Sequence, residues 1–273
     1  MKYRLIAVDL DGTLLDNDGK LNERTIKAAR AAMDTGAKFV LSSGRMPPAL
    51  RSIGLQLNVN APAVCYNGGA VVDLATNEAI YKTPVPIDLA RDIARAAEDM
   101  GMYLHAFVHG AYIAPCYTAM TERYESLSGV KANVVNAKIS EAMDEAPMKL
   151  LILEDPAIVD KALPVLQEKF AGRARILRSQ NFLIECVDKN TSKSGALTHL
   201  CGVLGIDPSE TLSFGDGQND LDMLLWAGQS YVMDNASDKL KAASPNFRIA
   251  PSNAEQGVAQ VLEALIAAGE IGA

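Results

Sequence analysis

Leu5-Ile6-Ala7-Val8-Asp9-Leu10-Asp11-Gly12-Thr13-Leu14 decides the reading of this chain. Residues 5–8 are an unbroken apolar run, the mark of a strand covered on both faces, as in a parallel sheet. Two carboxylates follow at once. They stand at the carboxyl end of that strand, the end at which open α/β sheets bind ligands. Asp9 and Asp11 lie one residue apart and repel each other unless a cation or the partners of a phosphoryl group sit between them. Gly12 lets backbone bend sharply and approach a ligand closely. Taken alone, D-x-D-G also fits a polar turn after a strand, because turns favour Asp and Gly.

Working outward, the same arrangement recurs. Asp16-Asn17-Asp18-Gly19 reads as a turn; its glycine spacing and the missing closing Glu exclude a calcium loop. Asn22 N-caps a helix running to about Thr35, with Gly36 as its stop and Leu21 and Ile26 as a hydrophobic staple. Ala37–Leu41 is a second short apolar strand, ending in Ser42-Ser43-Gly44-Arg45. Ala63–Tyr66 is a third, ending in Asn67-Gly68-Gly69. Strands alternating with helices make a parallel sheet.

Thr83-Pro84-Val85-Pro86 marks a boundary. Beyond it come an amphipathic helix (residues 87–100), a hairpin around His109-Gly110, and a helix near 117–127. A strand at 148–153, a helix at 157–170 and strands near 176–177 and 182–187 follow. This mixture is α+β rather than a continued parallel sheet. His105 and His109 read as structural there. After Asp188 the first pattern resumes. A helix at 193–204 is capped by Gly205. A strand at 211–214 runs into Gly215-Asp216-Gly217-Gln218-Asn219-Asp220, and a helix carrying Leu221, Leu224 and Leu225 follows, with Trp226 packing. Ser230–Met233 and Phe247–Ile249 are expected edge strands, and Val258, Val261, Leu262 and Leu265 form one face of a closing helix. The chain therefore reads as an α/β core, residues 1–83 and 189–273, with an α+β unit, residues 84–188, inserted.

Bulk properties narrow the function. The 273 residues suit two domains, and the composition, 49% hydrophobic and 22% charged, is that of an ordinary globular protein. A net charge of −7 without a dense Lys/Arg run argues against nucleic acid as a partner. No apolar stretch suits a membrane span, and the N-terminal apolar run, stopped by Asp9, is no signal peptide. Cys65, Cys116, Cys186 and Cys201 are far apart and form no C-x-x-C, which fits buried reduced thiols in a cytoplasmic protein. Three histidines give a zinc site little to build on.

The strand ends collect one chemistry. Asp9 and Asp11 follow one strand, Ser42-Ser43-Gly44 another, Asp216 and Asp220 a third, and Lys193 opens a helix whose N-terminus favours anions. Carboxylates from two loops suit Mg²⁺. A hydroxyl, backbone amides and a lysine suit a phosphoryl group, and a carboxylate can be a covalent nucleophile toward phosphorus.

DLDGTLL, LSSGR, Lys193 and GDGQND, in that order and spacing, resemble the four motifs of the haloacid dehalogenase (HAD) superfamily. The insertion between the second and third motifs resembles the large α/β cap of its Cof-type sugar-phosphatase branch, as do Asn67-Gly68-Gly69 and Met233-Asp234-Asn235-Ala236. The resemblance covers essentially the whole chain. It implies a Rossmann-like core with a cap, and Mg²⁺-dependent hydrolysis of a small phosphorylated metabolite, with a sugar or polyol phosphate expected. It makes Asp9 the nucleophile and Asp11 the acid and base. Ser43, with Ser42 as the weaker candidate, would bind the phosphoryl oxygens with the Gly44 amide and Asn219. Lys193 would neutralise phosphate and Asp9. Mg²⁺ would take Asp9, the Asp11 carbonyl and Asp216, with Asp220 in support. Arg45 would touch substrate or pair with a carboxylate. Lys193-Ser194-Gly195 replaces the family's usual Lys-Gly. Two rival readings are a phosphoacceptor signalling module and a binding protein without catalysis.

Overall fold

In a computed structural model, which describes residues 2–272, Leu5–Val8 forms β1, and all four of its side chains are buried. After a wide turn over residues 9–15, α1 (Glu23–Asp34) begins at Asn22, whose side chain accepts from the Arg24 amide. β2 (Lys38–Leu41), α2 (Pro47–Leu57) and β3 (Ala63–Cys65) come next. β3 runs parallel to β2 only through a bridge between Ser42 and Val64. It then joins β4 (Ala70–Val72) and β5 (Ala79–Lys82) in a three-stranded group, pairing antiparallel with β4. Neither β4 nor β5 is expected from the sequence.

Residues Lys82–Thr191 form one compact unit, and the rest of the chain forms another. The inserted unit contains α3 (Ile87–Asp99), β6 (Tyr103–Ala106), β7 (Ile113–Ala114), α4 (Ala119–Ser128), β8 (Asn133–Val134) and α5 (Ile139–Ala142). It continues through β9 (Leu150–Leu153), α6 (Pro156–Lys169), β10 (Ala174–Gln180) and β11 (Leu183–Asp188). Its sheet runs β10-β11-β9-β6-β7-β8, antiparallel apart from the β7–β8 pair. The hairpin turn has His109 at φ +50° and Gly110 at φ +71°, the handedness that matches strand twist. Ile93 and Ala97 of α3 and Val159 and Leu166 of α6 pack with Leu104, Ile152 and Ile184 of the sheet.

His105 lies on the opposite face of β6 from Leu104 and is wholly buried. Tyr103, Tyr112 and Tyr124 ring it at centroid distances of 5.2, 4.8 and 5.4 Å. Among the described residues neither ring nitrogen has a hydrogen-bond partner. Burial therefore pushes its pKa from 6.5 to about 3. The folded-state value lies below the unfolded one, so the stability held by neutral His105 is complete above pH 6.5 and is lost as pH falls toward about 3. At pH 5 the expected loss is about 2 kcal/mol. His105→Phe should flatten this acid limb, and urea unfolding at pH 7 and pH 5 measures it. Equal acid sensitivity of both proteins would exclude His105 as the cause.

The first unit resumes with α7 (Lys193–Leu204), β12 (Thr211–Gly215), α8 (Leu221–Trp226), β13 (Gln229–Met233), α9 (Asp238–Lys241), β14 (Arg248–Ala250) and α10 (Gly257–Ala267). Its main sheet is parallel, in the order β14-β13-β12-β1-β2. Gln229–Met233 is thus an interior strand, not the expected edge; β14 is the edge. One sheet face packs Leu5, Ala7 and Val40 against Ala196, Leu197 and Leu200 of α7, and α1 packs against α10 elsewhere in this unit. The chain leaves β1 toward β2 and later fills the sheet from β12 outward. The strand order therefore reverses between β1 and β12, where an open α/β sheet leaves a crevice at its strand ends. Cys65, Cys186 and Cys201 are buried, whereas Cys116 is exposed, against the expectation for all four.

Candidate active site

Pairing in register brings three strand ends together. Val8 stands opposite Phe214 on one side and Leu41 on the other. The Asp9 amide donates to the Phe214 carbonyl at 3.0 Å and the Ser42 amide to the Val8 carbonyl at 2.9 Å. Asp9, Asp216 and Ser42 are therefore neighbours by construction of the sheet. The chain leaves β1 through a wide turn, in which Leu14 and Leu15 amides reach back five residues to the Asp9 and Leu10 carbonyls. Gly12 sits there at φ +82°, and a Cβ on it would fall 2.3 Å from the Asp216 carboxylate. Glycine is needed at this point for both reasons.

Lys193, first residue of α7, is fully buried rather than solvated. Its ammonium donates to Asp9 Oδ1 at 2.7 Å, the Ser42 carbonyl at 2.7 Å and Asp220 Oδ1 at 2.6 Å. An ammonium has three protons, and each finds an oxygen. Burial alone would depress its pKa, but Asp220 and Asp9 outweigh burial and hold it above the ordinary lysine value. Lys193 thus fixes the Asp9 carboxylate, and in this arrangement no proton of it is left over for phosphate.

Asp9, Asp216 and Asp220 lie close enough for one ion to bridge a carboxylate oxygen from each, within 4.8 Å of one another. Three carboxylates face one ammonium, which leaves room for two positive charges. Burial and the Asp220 charge push Asp9 well above the usual carboxylate range, against the pull of Lys193. Burial, then Asp220, push Asp216 up to about 6. Among the described residues one oxygen of Asp9 and one of Asp216 accept no hydrogen bond. This donor set fits a hard divalent cation. Asp220 differs: Oδ1 holds Lys193, while Oδ2 accepts from the Asp216 and Gly217 amides at 3.1 and 2.9 Å. It shapes the loop that presents Asp216.

Asp11 is not part of this cluster. Its carboxylate is exposed and paired through both oxygens with Arg45, with Nε to Oδ2 at 2.9 Å. Of the two roles open to Arg45, the structure shows the carboxylate pair. Ser43 is buried, and its Oγ accepts from the Arg45 amide at 3.1 Å, which leaves its own proton to donate. Ser42 supplies a carbonyl to Lys193, and its buried Oγ has no partner among the described residues. Gly44 abuts the Asn67 amide, to which Asn219 donates at 3.1 Å.

Several contributors escape a reading of the sequence. Thr13 Oγ1 donates to Asp216 Oδ1 at 2.8 Å, tying the turn after β1 to the loop after β12. Asn235 Nδ2 donates to the Gly12 carbonyl at 2.8 Å. Asn253 donates from its amide to Asn235 Oδ1 at 3.0 Å and from Nδ2 to the Leu15 carbonyl at 2.9 Å. The turn that carries Asp9 and Asp11 is thus held from three other segments. Thr13 lies in the DLDGTLL motif, and Asn67 and Asn235 in the runs Asn67-Gly68-Gly69 and Met233-Asp234-Asn235-Ala236, but these signals name no role for them.

Residues 6–262 match the family model of haloacid dehalogenase-like hydrolases. A Streptococcus pyogenes serotype M6 protein, M6_Spy0533, which carries a provisional phosphatase name, is 29% identical over 96% of this chain and 98% of its own. The HMP-PP phosphatase of Yersinia pseudotuberculosis is 26% identical, covering 95% of this chain and 94% of its own. The crystal structure of TM0651 from Thermotoga maritima superposes with a TM-score of 0.84 at 27% identity, over 96% of this chain and 97% of that one. Among the described residues no helix is long and apolar enough to cross a membrane. A parallel core sheet with an insertion, a buried Asp–Lys–Asp cluster at its strand ends and a family match over nearly the whole chain lead to one assignment: this protein belongs to the haloacid dehalogenase-like hydrolases and is a phosphatase of that superfamily.

Proposed function

We propose that the chain is a Mg²⁺-dependent phosphatase of small phosphate monoesters, with sugar or polyol phosphates as its substrate class. In this reading the inserted unit is a cap of the Cof-type branch that selects the leaving group, and the other unit is the catalytic core. The observation that carries the reading is the buried 2.7 Å contact of Lys193 with Asp9 Oδ1. A carboxylate placed at a strand end, fixed by an ammonium and with an oxygen to spare, is built to attack rather than merely to bind.

An oxygen of Asp9 attacks phosphorus, and the bond from phosphorus to the ester oxygen breaks. Asp11, after leaving Arg45 and taking a proton from solvent, gives that proton to the departing oxygen. Asp11 then takes a proton from water, the water oxygen attacks phosphorus, and the bond to Asp9 breaks to release inorganic phosphate. Ser43, the Gly44 amide and Asn219 hold the phosphoryl oxygens. Asp9, the Asp11 carbonyl and Asp216, with Asp220 in support, would hold Mg²⁺, which would neutralise the phosphoryl charge.

Phosphate release from p-nitrophenyl phosphate, with and without Mg²⁺, tests this. Many turnovers that require Mg²⁺ support a phosphatase. A single turnover marks a phosphoacceptor, and none marks a binding protein. A panel of phosphorylated metabolites compared by kcat/KM then tests the substrate class.

Asp216→Asn should keep the Thr13 bond while removing a charged ligand. Mg²⁺ affinity should fall at least about tenfold, since even groups that merely orient a metal ligand are worth that much. Isothermal titration reads this directly, and an unchanged affinity would remove Asp216 from the metal site.

A further inference from the structure

Tyr66, Asn67 and Gly68 follow β3 with φ of +54°, +57° and +98°. Three successive residues in the left-handed region, one of them aromatic, form a costly backbone that persists only where its surroundings demand it. The turn meets three segments of the active site. Its backbone is bonded to the loop after β2: the Tyr66 amide donates to the Arg45 carbonyl at 3.1 Å and the Asn67 amide to the Ser43 carbonyl at 3.0 Å. The buried Asn67 carboxamide fills the space beside Gly44, where a Cβ would lie 2.9 Å from Nδ2, and its Oδ1 accepts from Asn219 Nδ2 at 3.1 Å. Gly68 lies against the start of α7; a Cβ there would fall 2.0 Å from the Ser192 carbonyl and 2.8 Å from the Lys193 amide.

We infer that the Tyr66–Gly68 turn is a positioning device centred on Asn67: it sets the spacing of the Ser43-Gly44 loop and Asn219 so that they converge on one phosphoryl group, and it seats the start of the helix whose Lys193 fixes Asp9. The inference rests on the phosphatase reading above. Asn67 acts through Gly44 and Asn219, not on the reacting atoms. Its bonds to the Ser43 carbonyl and to Asn219 lie on the phosphate-binding side of the site, so its removal should weaken phosphate binding and leave the cation site intact. A residue that only stabilised the fold would lower thermal stability and both affinities together.

Asn67→Gly tests this, because glycine adopts φ +57° freely and lacks only the carboxamide. Inorganic phosphate is the probe, titrated calorimetrically into Mg²⁺-loaded protein and used as a competitive inhibitor of p-nitrophenyl phosphate hydrolysis. The Kd and Ki for phosphate should rise about tenfold, the net worth of a hydrogen bond to a charged group. Mg²⁺ affinity should not change. Asn67→Asp keeps the acceptor for Asn219 but adds a negative charge, and should weaken phosphate further; it carries the test if the glycine variant does not fold. Asn58→Gly, the same exchange at an exposed left-handed position ending α2, should change nothing. If wild-type protein hydrolyses p-nitrophenyl phosphate while either Asn67 variant binds phosphate normally, the positioning role is wrong. If wild-type protein neither hydrolyses the ester nor binds phosphate, the phosphatase reading itself fails.

Discussion

Asp9→Asn is expected to abolish turnover on every substrate, a loss of at least about 10⁴-fold, because the group that forms the bond to phosphorus is gone. The fold should survive. Asn fills the same volume, Lys193 keeps Asp220 and the Ser42 carbonyl, and one buried carboxylate held above its ordinary pKa is removed. Asp11→Asn should behave differently, although it stands two residues away on the same turn. It removes a proton donor and acceptor, an effect of about 10²–10⁴ in rate. A sugar alkoxide needs that proton to leave, so its first step should slow by this factor. p-Nitrophenolate leaves unaided, so phosphoryl transfer to Asp9 should survive and hydrolysis of the product should become limiting. Rapid-quench kinetics of Asp11→Asn should therefore show a burst of p-nitrophenol followed by a slow steady state. A burst in Asp9→Asn, or equal losses for both leaving groups in Asp11→Asn, would reverse the assignment of the two acids.

Lys193→Met should be the most damaging single change to stability in the core. The ammonium satisfies two buried carboxylates and a buried carbonyl, and methionine of similar length satisfies none. Removing one partner of a buried ion pair costs about 3–5 kcal/mol, which lowers Tm by roughly 10 °C in a protein of this size class. Asp220→Asn should cost less, because Asp9 still balances the Lys193 charge, although the single oxygen of Asn can serve either Lys193 or the Asp216 and Gly217 amides and its NH2 must face donors on the other side. Thermal melts of both variants separate the cases. A Lys193→Met protein as stable as wild type would mean that the Asp9–Lys193–Asp220 cluster carries its charges without mutual support.

The parts that place the site are legible because their signals are local and redundant. Leu5–Val8 is a continuous apolar run, Thr211–Phe214 alternates polar and apolar side chains, acids follow both, and no helix pattern competes with them. Asn22, Gly36 and Gly205 mark helix ends through their own backbone preferences. β4, β8 and α5 escape notice because two to four residues are too few for a period to show. Ser230–Met233 reads as an edge strand because strand order is set by crossovers, which leave no mark within the strand. Burial of Lys193 is invisible for a related reason. A lysine at a helix start looks alike in water or beneath three oxygens, and the oxygens come from positions 9, 42 and 220. The sequence assigns no role to Asn67, Asn235 or Asn253, since asparagine is common in turns for purely local reasons. Their distant partners emerge only when the sheet aligns its strand ends.

Intact-protein and peptide mass measurement on Asp11→Asn, quenched during steady-state hydrolysis of p-nitrophenyl phosphate with Mg²⁺, tests most directly whether phosphoryl passes through Asp9. One phosphoryl group should be found per chain, on the peptide that contains Asp9, and it should be absent when Asp9→Asn is added. A burst of p-nitrophenol with no phosphoryl adduct, or an adduct on any other residue, would contradict the account.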